Sequence, residues 1–423
     1  MLPGEDTQNR ILLAVAIASA ALIQVSIAAS QIFLGLGILL LIVFRHKLEF
    51  PRIWIPLAAL FLWTALADLA SPDPWGGRPQ LRKFFCFMFI PLLYGVFVRQ
   101  FARVFYLVLA WTAAATASAL WALVQFVTKY QHARDTGENF YVTYTGHRIT
   151  GFESHWLTFG ALQLTVLALL LAQWFFSSRK MPPWAYFAIA ILSAAILLSW
   201  DRSIWIATLP AVVYLVWFWR PKMTLAIPVI AVLAFLIAPA GTRDRLRSLV
   251  TPHGETDSNR FRIVTFRTGV HMVEAHPLLG LGPEEISRNF KSYVPPDVER
   301  PLPVGYYGHL HDLYLQYAAE RGIPAVLFLL WFIGLTLYDS ARAIARNGPA
   351  HSQQLFILHA AVAIILAMLV EGFAEYNLGD SEVLMMFVSI VALAYAAIHN
   401  VNVSPAAKAP FTSGTHTSGN LST

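Results

Sequence analysis

Three clusters in this chain carry residue types suited to polar chemistry. Ser199-Trp200-Asp201-Arg202-Ser203 puts a guanidinium in a turn. Asn259-Arg260-Phe261-Arg262 leads past Arg267 to His276-Pro277-Leu278-Leu279-Gly280-Leu281-Gly282. Gly308-His309-Leu310-His311-Asp312 runs on to Glu320-Arg321-Gly322. A guanidinium is a planar fork that suits phosphate. A histidine, with an ordinary pKa of about 6.5, suits proton transfer at neutral pH. Each residue also has an ordinary reading. Arg202 can snorkel to headgroups or pair with Asp201. Arg260, Arg262 and Arg267 can form the solvated face of a helix, and Arg82 and Lys83 can anchor headgroups. His309 and His311 suit metal ligation only on a strand, and no Cys or HxxxH accompanies them. Taken singly, each ordinary reading is the better one.

The elements that must position these clusters are membrane helices. Of 423 residues, 57% are hydrophobic and only 13% charged, about half the charged share of a soluble chain. Apolar runs recur along nearly the whole length, many able to cross a hydrocarbon core of about 30 Å. They are read as helices because lipid offers backbone groups no partner. Twelve spans follow: about 11–28, 30–44, 53–70, 84–98, 103–127, 155–176, 183–199, 203–219, 223–239, 312–338, 355–372 and 382–398. The first run is read as a retained helix rather than a signal peptide. The fold class is therefore an all-α integral membrane protein of about twelve helices. Its parts are helices one to nine over 1–239, a large loop over 240–310, helices ten to twelve over 311–402, and a disordered tail over 403–423.

Charge sets the orientation. The even-numbered loops carry Arg45, Lys47 and Arg52; Arg99 and Arg103; Arg179 and Lys180; Arg220 and Lys222; Arg342 and Arg346. The positive-inside rule puts both termini in the cytoplasm. Arg78, Arg82, Lys83, Lys129, Arg134 and Arg148 then fall outside, a cost to the topology unless those charges have work to do there. The net charge of +6 comes from helix ends and implies no nucleic-acid partner. The single cysteine, Cys86, allows no disulfide within the chain. The loop over 240–310 holds nine Lys or Arg and eight Asp or Glu. A structureless loop of that length is uncommon. A helix over 260–274, ended by His276-Pro277 and followed by a Gly280/Gly282 turn, makes it a folded cap on the outer face. All three clusters converge on that face, which is what favours a functional reading.

At these clusters the sequence resembles the O-antigen ligase and polymerase family. The family pattern is a Ser-x-x-Arg-Ser turn, a long periplasmic loop with Arg before a Pro-Leu-Leu-Gly-x-Gly stretch, and a His with a polar neighbour followed by Glu-x-Gly. Here these are Ser199 to Ser203; Arg262 with His276 to Gly282; and His311-Asp312 with Glu320 to Gly322. Two positions depart from it: Asp312 stands where Asn, Ser or Gln is common, and Ala325 where a second Gly is common. The resemblance implies a fold like the GT-C-type glycosyltransferases, in the inner membrane of a Gram-negative bacterium. It implies transfer of a glycan from undecaprenyl pyrophosphate to a lipid A–core hydroxyl, without metal or other cofactor, among membrane lipids. On that chemistry Arg202 and Arg262 hold pyrophosphate and His311 is the general base, with nearby arginines opposing its protonation. Arg260, Arg267, His309, Asp312, Arg82 and Lys83 are substrate-binding candidates. On a helix, His309 would point away from His311. Two alternatives are an O-antigen polymerase using the same donor and a non-catalytic lipid-linked glycan transporter. The second is disfavoured by the lack of charges at mid-span. A periplasmic reporter fused within residues 240–310 is expected to be active; activity of a cytoplasmic reporter there would contradict the orientation.

Overall fold

The computed structural model describes residues 4–251, 259–348 and 351–403. The tail expected to be disordered lies, from residue 404, outside the described residues. Among the described residues the secondary structure is helical throughout. In chain order the helices are α1 (Glu5–Ala21), α2 (Ile27–Val43), α3 (Trp54–Leu69), α4 (Arg78–Arg82), α5 (Phe89–Arg99), α6 (Val104–Thr136), α7 (Phe140–Gly146), α8 (Trp156–Phe176) and α9 (Pro183–Leu198). Then come α10 (Arg202–Trp219), α11 (Ala226–Ile237), α12 (Ala240–Arg247), α13 (Asn259–Ala275), α14 (Ile286–Tyr293), α15 (Leu313–Asn347), α16 (Gln353–Glu371) and α17 (Ser381–Val403). A 3-10 segment, Lys83–Met88, joins α4 to α5.

Each of the twelve expected apolar stretches is helical. Among the described residues, eight helices are long and apolar enough to cross a bilayer, and α2, α3, α9 and Pro221–Ile237 are apolar but shorter. Several run past the apolar stretch that announced them: α6 continues to Thr136 and α15 to Asn347. Hydropathy marks only the part of a helix in lipid, and polar residues can extend it into water. The interior is built from α8, α16 and α17, buried over most of their surface. By contrast α11 buries no residue, as expected of an apolar helix at the periphery. Local chemistry sets the starts. Asp201 accepts a hydrogen bond from Ser203 N at 3.1 Å, Asp312 from Leu315 N at 2.8 Å, and Ser352 from Leu355 N at 3.1 Å. Each is an N-cap that satisfies an otherwise orphaned donor.

The insertion between α11 and α15 has a small core of its own. Val264, Met272, Ile286, Phe290, Val294 and Leu310 pack together with Ala319 of α15. α13 stops at Ala275, before His276-Pro277. The following strap, Pro277 to Gly282, locks onto a break in α15 at Gly322, whose φ is +78°. Leu281 N donates to Ala319 O at 2.8 Å, Gly282 N to Glu320 O at 3.0 Å, and Ile323 N to Pro277 O at 2.8 Å. The break frees two carbonyls and one amide, and the strap supplies their partners. Only glycine permits this approach. A Cβ on Gly322 would stand 1.7 Å from Leu278 O, and one on Gly280 (φ +67°) 2.3 Å from the Glu320 carbonyl carbon. The two glycine-containing motifs are thus two halves of one joint. Gly322→Ala is expected to cost about 2–4 kcal/mol, from left-handed strain plus overpacking. Gly334→Ala, with nothing within 4 Å of its Cβ, is the control. Equal thermal stability of the two variants in detergent would contradict the joint.

Candidate active site

A cavity of about 710 Å³ lies where the insertion meets one end of the helix bundle. Five stretches distant in sequence wall it. The α4 region gives Gln80 and Lys83, and the segment before α8 gives Arg148 and His155. α13 gives Phe261 and Arg262, the segment before α15 gives His309 and His311, and the α16–α17 connection gives Glu375 and Tyr376.

Glu375 is the centre of the polar network. Its side chain is only 4% exposed. Arg262 Nη2 donates to Glu375 Oε1, and Arg262 Nη1 to the carbonyl of Ala374. Oε2 of the same carboxylate lies 3.1 Å from His311 Nδ1. Burial alone would push the Glu375 carboxyl up. Arg262 and His311 outweigh it and hold the carboxyl at about 2, so it is ionised at neutral pH.

His311 is held from several sides. Its backbone is left-handed, φ +54°, an unusual conformation for a non-glycine residue. Its amide donates to His309 Nδ1 at 3.3 Å, the Phe261 ring packs near edge-on at 5.1 Å, and Nε2 lies 3.3 Å from Tyr306 O. Neither histidine is on a helix, since α15 begins after them. The expectation that they point apart is therefore overturned: their ring centroids are 4.0 Å apart and both line the cavity. Burial first, and then His311, lower the His309 pKa to about 4. A neutral ring suits its Nδ1 accepting the His311 amide.

The cations divide into two groups. Lys83, Arg148 and Arg262 line the cavity. Lys83 Nζ donates to Gly379 O at 2.7 Å. Arg148 donates through Nε to Thr145 O at 3.2 Å and faces the Trp156 ring at 5.1 Å. It has no carboxylate partner among the described residues. Burial, with Arg245 and Arg262 adding to it, lowers the Arg148 pKa to about 10, still protonated at neutral pH. Lys129 braces that segment through His147 O at 2.8 Å. Three of the basic residues that strained the charge pattern thus serve the cavity, two lining it and one supporting it.

The other expected site residues are elsewhere. Arg202 does not line the cavity: its Nη1 donates to Ser248 O at 3.1 Å and its Nη2 to Asn259 Oδ1 at 2.7 Å, tying α10 to the insertion. Trp200 beside it is fully buried and donates to Thr242 Oγ1 at 2.9 Å, so this turn is a structural joint. Arg260 pairs with Glu299 and Arg267 with Asp297, both exposed; they are on the outward face of α13. Arg82 is exposed and also outside the lining. The Asp312 carboxylate is occupied as the α15 cap. The sequence analysis does not single out Arg148, His155 or Glu375 as site residues, although Arg148 stands out among the loop charges. At His311 Nδ1 stands a carboxylate, which His311 shares with Arg262. Among the described residues, no three His, Cys, Asp or Glu gather as a metal-ligand set.

The helices and this polar chamber at their end define a multi-pass membrane protein. Residues 187–330 match the family model described as O-antigen ligase, so over that third the chain is similar to this family. The matched third of the chain holds Arg202, Arg262, His309 and His311, whereas Lys83, Arg148, His155 and Glu375 lie outside it. No curated protein matches the chain.

Titration tests the network. A carboxyl held at about 2 against an ordinary 4.5 stabilises the fold fully above about pH 4.5. That contribution is lost as pH falls from there towards 2. The gap in melting temperature between wild type and Glu375→Gln is therefore expected to be widest near neutral pH and to narrow across that window. A gap independent of pH would contradict the network.

Proposed function

We propose that this protein moves a glycan from undecaprenyl pyrophosphate to a hydroxyl of a lipid A–core sugar, at the periplasmic face of the bacterial inner membrane. The observation that carries the reading is a convergence in a chain whose residues 187–330 match the O-antigen ligase family model. An Arg148 with no carboxylate in contact among the described residues, a partly engaged Arg262 and a histidine oriented by a buried carboxylate all face one chamber.

The reaction has two demands. A pyrophosphate leaves, and its growing charge needs fixed donors. Arg148 meets it with a guanidinium that no carboxylate among the described residues occupies. Arg262 commits two of its five N–H donors to Ala374 and Glu375 and presents the rest. Lys83 adds a third cation at the rim. The acceptor hydroxyl must also lose its proton. With Nδ1–H donated to Glu375, and with Nε2 released from its contact with the Tyr306 carbonyl, His311 presents the Nε2 lone pair to that hydroxyl, and the carboxylate stabilises the imidazolium that forms. This is the division of labour of a histidine–carboxylate pair in a hydrolase triad. The hydroxyl oxygen attacks the anomeric carbon, the bond to pyrophosphate breaks with its electron pair leaving on phosphate, and the proton passes to Nε2. A single displacement inverts the anomeric centre and requires no metal. Arg202 acts here as a positioning residue, fixing the start of α13 and through it Arg262.

Purified protein with lipid-linked donor and lipid A–core acceptor should form product at an undiminished rate in EDTA, with the anomeric configuration inverted. His311→Ala should lose about 10²- to 10⁴-fold in rate, with donor binding retained. Arg148→Ala should weaken donor binding and slow transfer together. Product built only on a growing glycan would assign a polymerase. Transport of the intact donor without transfer would remove the enzymatic reading, and EDTA-sensitive activity would remove the arginine-based one.

A further inference from the structure

The chamber takes up one end of the bundle. At the other end, a cavity of about 360 Å³ lies between the residues before α3 and the last turns of α15 and α17. Arg52 walls it from the first, Asp339, Arg342 and Arg346 from the second, and Tyr395 from the third. The separation follows from the sequence. After the break at Gly322, sixteen residues of α15, Ile323 to Tyr338, carry no charge. At 1.5 Å per residue they span about 24 Å, most of a hydrocarbon core of about 30 Å. Asp339 and the two arginines after it therefore stand at a membrane–water boundary, on the side away from the chamber. The positive-inside rule assigns that side to the cytoplasm.

The charges of this cavity do not balance. Three guanidinium groups and one carboxylate line it. The Asp339 side chain is only 11% exposed, and both its oxygens are taken. Arg52 Nε donates to Oδ2 at 2.7 Å and Arg52 Nη2 to Oδ1, and the Tyr395 hydroxyl donates to Oδ2 at 2.7 Å. Arg52 and Asp339 thus offset each other. Arg342 and Arg346 have no carboxylate partner among the described residues; Arg342 Nη1 donates to the Tyr338 hydroxyl at 3.4 Å. Four residues apart, the two arginines lie side by side on one face of α15, a like-charge spacing that weakens a helix. Residues 404–423, which follow α17, contain no Asp or Glu to relieve it. Snorkelling accounts for arginines at this level. It does not account for two of them bordering a cavity whose one acid is already paired.

The site has room for an anion and a track for an apolar chain. Ala343, next to Arg342, is buried and lines the cavity with a small side chain. A phosphate placed there accepts hydrogen bonds from planar guanidinium forks. Further along α15 towards the chamber, Tyr338, Trp331 and Leu327 are exposed. Positions 327, 331, 338 and 342 fall within about 60° of one another around a helix of 3.6 residues per turn. An exposed apolar stripe therefore runs from the arginine pair into the span. A ligand that matches both parts has a phosphate head at the boundary and acyl chains along the helix.

We propose that this cavity binds the phosphate group of an anionic phospholipid, held between Arg342 and Arg346, with its acyl chains along Tyr338, Trp331 and Leu327. The site is separate from the chamber, and the proposal does not depend on the reaction assigned to the chamber. A soluble phosphate would satisfy the same two arginines but not the apolar stripe, which separates the two sources.

Full-length protein in a neutral detergent is titrated with phosphatidylglycerol, phosphatidylcholine or inorganic phosphate, and its melting temperature is followed. A ligand that binds the folded state raises that temperature in a concentration-dependent way. Phosphatidylglycerol is expected to do so, and phosphatidylcholine and millimolar phosphate are not. Arg342→Gln combined with Arg346→Gln should weaken the apparent affinity for phosphatidylglycerol about ten- to thirtyfold. Arg179→Gln combined with Lys180→Gln removes two charges at the same end of the bundle but outside the cavity, and should leave the affinity unchanged. No stabilisation of the wild type by phosphatidylglycerol, equal stabilisation by phosphatidylcholine, or equal loss in both double variants overturns the site. Stabilisation by inorganic phosphate equal to that by phosphatidylglycerol overturns the lipid assignment. Should the arginine double variant fail to fold, the wild type decides. A phosphatidylglycerol with a diazirine beside its headgroup should label peptides within 338–348 and 395–403 above all others. Labelling spread evenly over the helix ends on that side overturns the site.

Discussion

Glu375 is a buried carboxylate shared by a guanidinium and an imidazole that arrive on different parts of the chain. Arg262 comes from α13 of the insertion, His311 from the segment leading into α15, and Glu375 itself from the connection between α16 and α17. Removing one partner from a buried ion pair leaves the other uncompensated, which costs about 3–5 kcal/mol. The three segments are therefore constrained to meet in one arrangement. The same contact that closes the chamber orients the histidine, so stability and proposed chemistry draw on one interaction.

A second joint keeps the insertion in register with the bundle. The break at Gly322 turns the first part of α15 into a platform whose freed backbone groups are taken by the strap from Pro277 to Gly282. Leu313 N adds a bond to Gly372 O at 2.7 Å, which ties the start of α15 to the segment carrying Glu375. The glycine motifs, the Asp312 cap and the Arg202 turn are in this sense scaffolding. They surround residues of the chamber without lining it. Sequence motifs near a site mix the two roles, because a strained backbone needs specific residues as much as a reaction does.

This explains which parts of the molecule were legible in the sequence. The apolar helices were, since burial in lipid writes itself into composition over a whole span. The helix of the insertion and its stop at His276-Pro277 were legible from local rules. Arg262, His309, His311 and Lys83 were picked out by type and position, and all four line the chamber. Arg260 and Arg267 look equivalent to Arg262 in the sequence. Only the rotation of α13 separates them, sending Arg262 inward to Glu375 and the other two to exposed carboxylates. Arg148 and Glu375 carried a weaker signal, as a basic residue in a loop expected to avoid them and as an acid in a short connection. Neither signal names a partner, because the contacts that give these residues meaning span 113 residues for Arg262 and Glu375 and 64 for His311 and Glu375.

The central claim is that the chamber walled by Arg148, Arg262 and His311 is where the pyrophosphate of the donor sits. A cryo-electron microscopy map of the protein with a bound polyprenyl diphosphate tests it most directly. The account predicts diphosphate density within hydrogen-bond distance of the Arg148 and Arg262 guanidinium groups, with His311 Nε2 facing the terminal phosphate. Diphosphate held instead by Arg202 and Arg260, with the chamber empty, would contradict it.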